Sequence, residues 1–498
     1  MNTLQKPHVA MVTFPAMGHS IPSLDLAKLL ASHSLAVSYI TTHTIAQRLR
    51  GLMDKSSQAA ALDIQLVGLN PSKAIQCLPE GQESMDLLPQ KSGPIVLSFI
   101  ESLRDPFERW VEEQGIRRPV CILSDLFIDW TVQSAERFGT IRVIFAPCGA
   151  FGTSVFHAIF GSITTNTVRK EGDSVIVDGI LLSAVKFTKE QMPERLLQLD
   201  QADPGIRFLM GKMQSMSKCW GMLVNTFDEL EPRYLQHLKN LLNGKPLWSV
   251  GPLVPLGCIA NQRGKAADIS EHKLVQWLDS KSPCSVIYVS FGSQAFLSQE
   301  QTQALARGLE ASHQPFVWSI KVSPDTVSAE SNQEELCASY LPEGFMERDN
   351  GLVIWGWAPQ LVILSHPSVG AFMSHCGWNS TLESILMGVP MVTWPMFGEQ
   401  HFNSKLVTEE LGIGVQFCQH MDGIPCEDRV EICVRCVLSS EEGTDMRKRA
   451  VKYQRLAKES VGGGGSSTLN LQAFVNGMHK LMNCNGEDRI GDGYDLSV

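Results

Sequence analysis

The sequence lacks the features that would mark a membrane protein or a nucleic-acid-binding protein. No apolar run approaches the roughly 20 residues that a spanning helix needs, and the N-terminal stretch MNTLQKPHVAMVTFPAMGHS is not typical of a signal peptide. Positive charge is also in deficit, since the 498 residues have a formal net charge of -10. An acidic surface attracts neither nucleic acid nor an anionic membrane. We therefore expect a cytoplasmic protein whose partners are small molecules, with no nucleic acid and no membrane span.

Several motifs of metal, redox and hydrolytic chemistry are missing as well. The 13 cysteines are scattered, and the CxxC pair of Cys433 and Cys436 has no second pair with which to bind zinc, so its surroundings predict an amphipathic helix. His366 and His375 do not form a metal pair. The chain has no GxSxG element of a serine hydrolase and no DxD motif that would hold Mg²⁺.

The run Gly462–Gly465 lacks the preceding strand and the Lys of a phosphate loop, so we predict a hinge before the last helix.

Apolar, β-branched runs alternate with amphipathic segments along most of the chain. Runs such as His8–Phe14 in the first half and Ser285–Ser290 in the second half have the composition of buried strands. This alternation predicts an α/β fold with parallel sheets, and the length is sufficient for two domains. We place the first domain at residues 1–250, a polar linker without periodicity at 251–270, and the second domain at 271–498.

Two polar segments show little periodicity. A long irregular stretch within a compact domain is more often functional or mobile than structural, so residues 70–92 are candidates for the edge of a binding pocket. The segment from Lys321 to Tyr340 is predicted to be a surface loop, and its residues indicate no particular chemistry.

The chain is organised around the stretch from Trp357 to Gln400. Within it, a strand predicted over Val369–Ser374 leads through the turn HCGW into a helix that ends at Gly388. Such a junction presents unpaired N–H groups and the positive end of a helix dipole, which suit a phosphate group without a metal. Asn379 and Glu383 share one helix face, so a carboxylate one turn beyond the phosphate could accept two sugar hydroxyls. Similar turns occur in many doubly wound proteins, but two indoles, a glutamine pair and an acid after the turn have no joint structural explanation. This combination indicates a ligand-binding site rather than a purely structural turn.

This stretch resembles the signature box of the plant family 1 UDP-sugar-dependent glycosyltransferases, which reads roughly WxPQ, HxxxG, HCGWNS, E, GVPxxxWP and D/E-Q. The resemblance implies the GT-B architecture, in which two Rossmann-like, doubly wound domains face each other across a cleft and the last helix packs back on the first domain. It also implies that Trp357 stacks on uracil, Gln360 contacts the nucleoside and Glu383 holds the ribose hydroxyls. The other residues expected in the donor site are Ala358; Ser293, His375, Gly377, Asn379 and Ser380 at the diphosphate; and Trp378, Glu399 and Gln400 at the hexose.

Two residues of the first half are candidates for catalysis. His19 follows the first predicted strand, at the edge of an open α/β sheet where ligands bind, in a predicted loop from Pro15 to His19 that precedes a helix after Pro22. Asp125 ends the buried run VCILSD. Taken alone, His19 would more often be a capping or surface residue, and Asp125 is as readily a helix N-cap. The resemblance favours catalysis, because PxxGHxxP, from Pro15 to Pro22, matches the stretch that contains the family's catalytic base, and the second catalytic residue falls at Asp125. Asp125 is then expected to accept a hydrogen bond from His19, fix its tautomer and stabilise the imidazolium.

The resemblance predicts a UDP-glycosyltransferase of plant secondary metabolism. The expected reaction is inverting, metal-independent transfer of glucose from UDP-glucose to a hydroxyl of a small lipophilic acceptor, with a flavonoid or another phenolic favoured, to give a β-glucoside. A terminal Gln, here Gln400, is usually associated with glucose, and residues 150–215 correspond to the acceptor-facing part in which relatives differ most. No cofactor is expected apart from the donor substrate, and the protein is expected to be a monomer. A terpenoid or hormone acceptor, transfer to carbon, and a UDP-sugar-binding protein without catalysis remain alternatives.

Overall fold

The chain folds into two α/β units. The computed structural model describes residues 6–53, 62–71, 83–87, 93–161, 168–172, 174–180, 184–193, 196, 203–255, 267–322, 339–347, 350–417 and 424–483. The first unit contains the described residues of 1–186, 195–255 and 459–498, and the second contains those of 187–194 and 256–458. The division differs from a cut at the linker because a short stretch near residue 190 packs with the second unit. The C-terminal stretch packs with the first unit, which is the domain expected for the last helix.

A seven-stranded sheet in which every strand pairing is parallel forms the centre of the first unit. Its strands are nearly continuous apolar runs, as expected of a parallel sheet that is covered on both faces. The strands in this part of the chain are β1 (His8–Val12), β2 (Ala36–Thr42), β3 (Ile64–Leu69), β4 (Cys121–Asp125), β5 (Ile141–Ala146), β6 (Val168–Glu171), β7 (Ser174–Val177), β8 (Val185–Thr188), β9 (Gly221–Val224) and β10 (Leu247–Ser249). The large sheet has the order β10-β9-β5-β4-β1-β2-β3, and β6, β7 and β8 form a small sheet of their own.

Helices and two apolar clusters complete the first unit. The helices before residue 250 are α1 (Met17–Ser32), α2 (His43–Met53), α3 (Gly93–Ser102), α4 (Arg104–Glu113), α5 (Thr131–Phe138), α6 (Ala150–Phe160), α7 (Pro204–Gln214) and α8 (Pro232–Leu241). One cluster joins α1 and β1 to the last helix, Ser466–Asn483, whose Phe474 lies edge-on to Trp248 with 5.4 Å between ring centroids. The other cluster contains Phe107 and Trp130. Burial of each such aromatic side chain contributes roughly 2 to 3 kcal/mol, so the last helix stabilises the first unit.

Helix α1 begins earlier than the sequence suggested. We expected a loop from Pro15 to His19 and a helix after Pro22, whereas the helix begins at Met17 and contains Pro22. Pro22 is the sixth residue of this helix, so it lacks the N–H that would donate to the Gly18 carbonyl, but its ring holds φ close to the helical value. The Met17 N–H, which has no partner inside the helix, donates to the Asp86 carboxylate at 2.8 Å. His19 therefore lies in the first helical turn rather than in a loop.

The second unit is built on a six-stranded parallel sheet. Its strands are β11 (Val286–Ser290), β12 (Phe316–Ile320), β13 (Gly351–Trp355), β14 (Val369–Ser374), β15 (Met391–Thr393) and β16 (Gly414–Gln416). The remaining helices are α9 (Glu271–Asp279), α10 (Gln299–Ala311), α11 (Gln360–Ser365), α12 (Trp378–Met387), α13 (Gln400–Lys405), α14 (Glu427–Ser439), α15 (Glu441–Val461) and the last helix, now α16. The strand order is β13-β12-β11-β14-β15-β16.

Both sheets have a topological switch point. The order of the strands reverses between β1 and β4 in the first sheet and between β11 and β14 in the second. Ligands of open α/β sheets bind beside the carboxyl ends of the strands at such points. These two parallel sheets confirm the predicted α/β fold class.

Parts of the predicted irregular segments lie outside the described residues. These parts are 72–82 and 88–92 of the segment 70–92, 323–338 of the loop after Lys321, and 256–266 of the predicted linker. The segment 150–215 contains α6, the small sheet and α7. Among the described residues, no helix combines the length and the apolar composition that crossing a membrane requires.

Candidate active site

The switch point of the first sheet brings His19 and Asp125 into direct contact. Strands β1 and β4 are neighbours, so the first turn of α1, which follows β1, lies beside the last residue of β4. His19 Nδ1 is 2.7 Å from Asp125 Oδ2, and Asp125 Oδ1 accepts a hydrogen bond from the Phe127 N–H at 2.9 Å. The Asp125 side chain is fully buried, whereas that of His19 is 24% exposed. The pair thus combines a sequestered carboxylate with an imidazole that a ligand can reach.

Two aromatic rings flank the imidazole of His19. The Phe14 ring lies 5.0 Å from it and the Phe127 ring 5.6 Å, measured between centroids. Both phenylalanines are partly exposed. The surroundings of His19 are therefore apolar on two sides, which suits a ligand with an aromatic or aliphatic framework.

A buried arginine supports the turn that follows Asp125. Arg142, on β5, is 3% exposed. Its guanidinium donates four hydrogen bonds around this turn, to the side chains of Ser124 and Thr131 and to the main-chain carbonyls of Ile128 and Ser215. Burial lowers the pKa of Arg142 to about 10, and the charges of Asp129 and Asp125 oppose that shift. Arg142 is therefore charged at neutral pH. The sequence could have indicated this supporting role only through the presence of a charged residue inside an apolar strand.

Residues 83–87 lie against the turn that precedes His19. The Met85 N–H donates to the carbonyl of Pro15 at 2.8 Å, and Asp86 accepts the hydrogen bond from Met17 described above. Asp86 therefore acts as a remote N-cap for α1. The expectation that the segment 70–92 borders a pocket concerns mostly residues outside the described ranges, and the part that is described supports the helix that carries His19.

In the second unit, the turn after β14 has an unusual backbone. Cys376 has φ of 63°, in the left-handed region that residues with a Cβ rarely adopt. Its N–H donates to Ser374 Oγ at 3.2 Å, and its carbonyl accepts a hydrogen bond from the buried side chain of Asn403 at 2.9 Å. Gly377 follows in the N-cap position of α12. The sequence did not reveal Asn403, because an amide in a helix near the box has many other possible roles.

His375 is packed between two glycines at the switch point of the second sheet. A Cβ at either Gly292 or Gly377 would come within 2.5 Å of His375 Nε2, so both positions need glycine for this close approach. Burial, together with a smaller effect of the charge of Lys321, lowers the pKa of His375 to about 3, so the imidazole is neutral at pH 7. Its Nδ1 atom is buried and, among the described residues, has no hydrogen-bond partner. A ligand could satisfy this atom.

Helices α11 and α12 bring Gln360, Ser380 and Glu383 together. The side-chain amide of Gln360 donates to the Glu383 carboxylate and, at 3.0 Å, to Ser380 Oγ. Glu383 is 6% exposed. Three of the residues predicted to bind the nucleoside or the diphosphate therefore form one hydrogen-bonded group.

The main chain of Trp357 is held by a residue from the predicted linker. Asp268 accepts a hydrogen bond from the Trp357 N–H at 2.6 Å and donates its own N–H to the Trp357 carbonyl at 2.9 Å. Gly356, with φ of 112°, leaves no room for a Cβ beside the Asp268 carboxylate. Asp268 belongs to the segment predicted as a linker, and nothing in its polar surroundings in the sequence indicates this partner far along the chain.

The remaining predicted donor-site residues lie at the same edge of the second sheet. Gln400 is 4% exposed, and its carboxamide oxygen accepts hydrogen bonds from the N–H groups of Met396 and Phe397 at 3.0 and 3.1 Å. The carboxamide is thereby oriented so that its NH₂ group is the end that can contact a ligand. The other positions are exposed Ser293 in the turn after β11, buried Ala358 after Trp357, buried Trp378 and partly exposed Asn379 at the start of α12, and partly exposed Glu399 before α13.

No metal site accompanies these residues in the part of the chain that the structure describes, where no three His, Cys, Asp or Glu side chains are grouped to hold an ion. Cys433 and Cys436 lie on α14, the helix predicted for them.

Comparisons with known proteins agree across nearly the whole chain. The family model described as "Glycosyltransferase, N-terminal domain" matches residues 6–255, and that described as "UDP-glucoronosyl and UDP-glucosyl transferase" matches residues 242–438. The chain is 36% identical over 489 residues to an anthocyanin 3'-O-beta-glucosyltransferase of Gentiana triflora, covering 94% of this chain and 97% of the relative. It is 36% identical over 476 residues to a scopoletin glucosyltransferase of Nicotiana tabacum, covering 93% and 96%.

Solved structures show the same similarity. Glycyrrhiza uralensis UGT73P12, complexed with glycyrrhetinic acid 3-O-monoglucuronide, matches with a TM-score of 0.81 at 29% identity, over 96% of each chain. TcCGT1 in complex with UDP matches with a TM-score of 0.78 at 29% identity, over 96% of this chain and 100% of the other.

Proposed function

We propose, since the chain belongs to the plant family 1 UDP-dependent glycosyltransferases, that it transfers glucose from UDP-glucose to a hydroxyl of a small lipophilic acceptor. The transfer is inverting, needs no metal and gives a β-glucoside. The observation that carries this proposal is the 2.7 Å contact between His19 and Asp125, in which only the imidazole is accessible. A protein that only binds UDP-sugars has no use for such a pair.

His19 acts as the general base in this reaction. Because Nδ1 donates to Asp125, the lone pair that can take a proton is on Nε2. Nε2 removes the proton of the acceptor hydroxyl while the oxygen attacks the anomeric carbon. A C–O bond to the acceptor forms as the bond to the diphosphate breaks, and UDP leaves with the electron pair. Asp125 stabilises the imidazolium and remains ionised.

The donor is held by the turns at the carboxyl edge of the second sheet. Trp357 stacks on uracil, Gln360 contacts the nucleoside, and Glu383 accepts both ribose hydroxyls. The diphosphate binds at the N-terminus of α12, where helix N–H groups favour an anion. Its further partners are Ser293, His375, Gly377, Asn379 and Ser380, and Ala358 lines the uracil side. Trp378, Glu399 and Gln400 contact the hexose.

An aromatic acceptor fits the surroundings of His19. Phe14 and Phe127 flank the imidazole and provide apolar surface on two sides. The two curated relatives named above are glucosyltransferases of an anthocyanin and of scopoletin, both of which are phenolic compounds. These observations favour a phenolic acceptor over an aliphatic one.

Incubation with UDP-glucose and a panel of flavonoids, coumarins and terpenoid alcohols tests the proposal. Mass spectrometry should detect phenolic glucosides, with UDP released in equal amount and undiminished after EDTA treatment. The anomeric proton coupling in NMR distinguishes a β-linkage from an α-linkage, and resistance to acid hydrolysis identifies a C-glycoside. UDP binding without acceptor-dependent UDP release across the panel would favour a binding protein instead.

The choice of glucose rests on Gln400. Its NH₂ group is the ligand-facing end, and a polar group arranged for one hydroxyl pattern discriminates strongly against another. We expect Gln400→His to lower the use of UDP-glucose relative to UDP-galactose in competition assays. An unchanged ratio of the two products would remove Gln400 from the sugar site.

A further inference from the structure

The strand order of the second sheet sets Lys321 beside two turns of the proposed donor site. Strand β12 lies between β11 and β13, and its last residue, Ile320, pairs with Trp355 at the end of β13. Lys321 is the next residue, at the carboxyl edge of the sheet. The turn that contains Gly292 follows β11 on one side, and Trp357 follows β13 on the other. Lys321 is also the first residue of the segment that the sequence predicts to be a surface loop, and it lies between these two turns.

The ammonium group of Lys321 contacts both neighbouring turns. It donates a hydrogen bond to the carbonyl oxygen of Gly292 and lies 4.7 Å from the centroid of the Trp357 ring. At this distance the negative face of an indole attracts a cation. Lys321 also lines a cavity together with Phe291 and Trp318. These contacts hold a positive charge between the residue proposed to stack on uracil and the turn proposed to face the diphosphate.

Negative charge on the diphosphate has little other compensation. Among the donor-site residues proposed above, Glu383 and Glu399 are acidic and none is Lys or Arg. His375 is adjacent to Gly292, but it is neutral at pH 7 because burial lowers its pKa to about 3. The N-terminus of α12 supplies the equivalent of roughly half a positive charge, whereas the departing diphosphate is a polyanion. A fixed cation nearby would therefore have a large effect on the binding of the donor and on the departure of UDP.

We propose that Lys321 binds the diphosphate of the donor and stabilises the UDP that leaves, a role that rests on the transfer reaction proposed above. Phosphate oxygens are stronger acceptors for an ammonium group than the neutral carbonyl of Gly292. As the bond from the anomeric carbon to oxygen breaks, negative charge grows on the diphosphate, so the attraction is stronger in the transition state than in the ground state. Lys321 thus supplies charge that a metal-dependent transferase obtains from Mg²⁺.

A supporting role for the Trp357 ring is the competing explanation, and the two roles affect different ligands. Loss of a phosphate contact weakens the binding of UDP but leaves the binding of uridine unchanged, because uridine has no phosphate. Loss of support for the Trp357 ring lowers the affinities for UDP and for uridine by the same factor, because both ligands present uracil to the indole. The comparison of these two ligands therefore separates the roles.

Calorimetric titrations of UDP and uridine into the unmodified protein, Lys321→Met and Lys321→Arg provide the test. We expect Lys321→Met to lower the affinity for UDP about 10- to 100-fold, as for a lost charge-assisted hydrogen bond. The affinity for uridine should fall less than about twofold. Lys321→Arg should retain most of the UDP affinity. Lys281→Met is the matched control, since Lys281 lies 4.6 Å from the Trp277 ring before β11 begins, at the opposite edge of the sheet. This control should change neither affinity.

Steady-state kinetics at saturating UDP-glucose give a second readout, in which kcat of Lys321→Met should fall by about tenfold or more. Melting temperatures establish that each variant is folded, and Lys321→Gln replaces the Met variant if that variant unfolds. Equal losses for UDP and uridine would overturn the proposal, as would unchanged UDP affinity and kcat in a folded variant. Failure of the unmodified protein to bind UDP would reject the proposed function and this role with it. UDP binding that persists unchanged without the ammonium group would reject the role of Lys321 alone.

Discussion

Replacement of Asp125 by Asn isolates the contribution of a buried negative charge, because the two side chains have nearly the same shape. The Asp125 carboxylate accepts hydrogen bonds from His19 at 2.7 Å and from the Phe127 N–H at 2.9 Å. An Asn oxygen can keep only one of these contacts, and its NH₂ group would face the other donor. The variant therefore loses the counter-charge of the imidazolium and disturbs the tautomer of His19.

The expected loss follows from the burial of this contact. A hydrogen bond to a charged group contributes about 1.5 to 3 kcal/mol, and the side chain of Asp125 has no exposure to water that would weaken it. The imidazolium forms only as the proton is transferred, so the variant loses stabilisation of the transition state rather than of the bound substrates. It corresponds to a decrease in kcat of roughly 10- to 150-fold. His19→Ala, which removes the base itself, should cost about 10²- to 10⁴-fold.

Measurements of kcat with one acidic phenol and one aliphatic alcohol check this reasoning. The phenol should lose less activity in both variants, because it ionises partly without a base. UDP affinity should remain unchanged, since the residues proposed to bind UDP belong to the other unit. Thermal melting serves as the control for folding, which matters because Asp125 also lies near the buried charge of Arg142. Full activity in a folded His19→Ala variant would end the proposed mechanism, and full activity in Asp125→Asn would remove the carboxylate from it.

Three further predictions concern the donor site and the stability of the fold. Glu383→Ala should raise the KM for UDP-glucose through a loss of about 2 to 3 kcal/mol, since two ribose hydroxyls lose their acceptor; equal UDP affinity by calorimetry would contradict this. Asp268→Ala should remove the carboxylate that accepts from the Trp357 N–H, while the main-chain bond from position 268 to the Trp357 carbonyl remains, and should lower UDP affinity about 5- to 30-fold, as for one lost hydrogen bond to a charged group, with kcat at saturating donor retained. A fall in kcat with unchanged UDP affinity would count against that assignment. Burial lowers the pKa of His157 to about 4 in the folded chain, so the unfolded chain binds the extra proton first and stability should fall between about pH 6.5 and 4, by roughly 2 to 3 kcal/mol. His157→Gln should flatten the dependence of melting temperature on pH in this range, and an unaltered slope would show that His157 is not responsible.

The fold class could be predicted because its signals are local. Alternating strands and helices specify parallel sheets through short-range patterns of apolar residues, and both sheets formed where these patterns occur. The predicted start of α1 after Pro22 is wrong because the carboxylate of Asp86, 69 residues away in the sequence, supports a start at Met17. The periodicity of a single helix contains no information about such a distant cap.

The residues of the candidate site also differ in whether short-range sequence patterns could predict them. The residues from Trp357 to Gln400 could be identified because one short segment contains them in a fixed order. Asp268 could not, since it meets Trp357 across 89 positions, and Arg142 reaches Ser215 across 73. The neighbours of Lys321 depend on the order of strands in the sheet, which the sequence of one chain does not specify. Supporting residues of this kind are chosen by tertiary packing, so they become visible only when the strands are in place.

The turn after β14 concentrates features that packing alone would not favour. Cys376 holds a left-handed backbone that costs about 1 to 3 kcal/mol, and the buried Nδ1 atom of His375 lacks a partner among the described residues, at a further cost of about 1 to 3 kcal/mol. Two glycines give up side-chain packing to let the imidazole approach. Against a total stability of about 5 to 15 kcal/mol for a typical domain, these costs are large for one turn. They are consistent with selection for a ligand, because an anion bound at this turn can accept hydrogen bonds from the N–H groups at the start of α12.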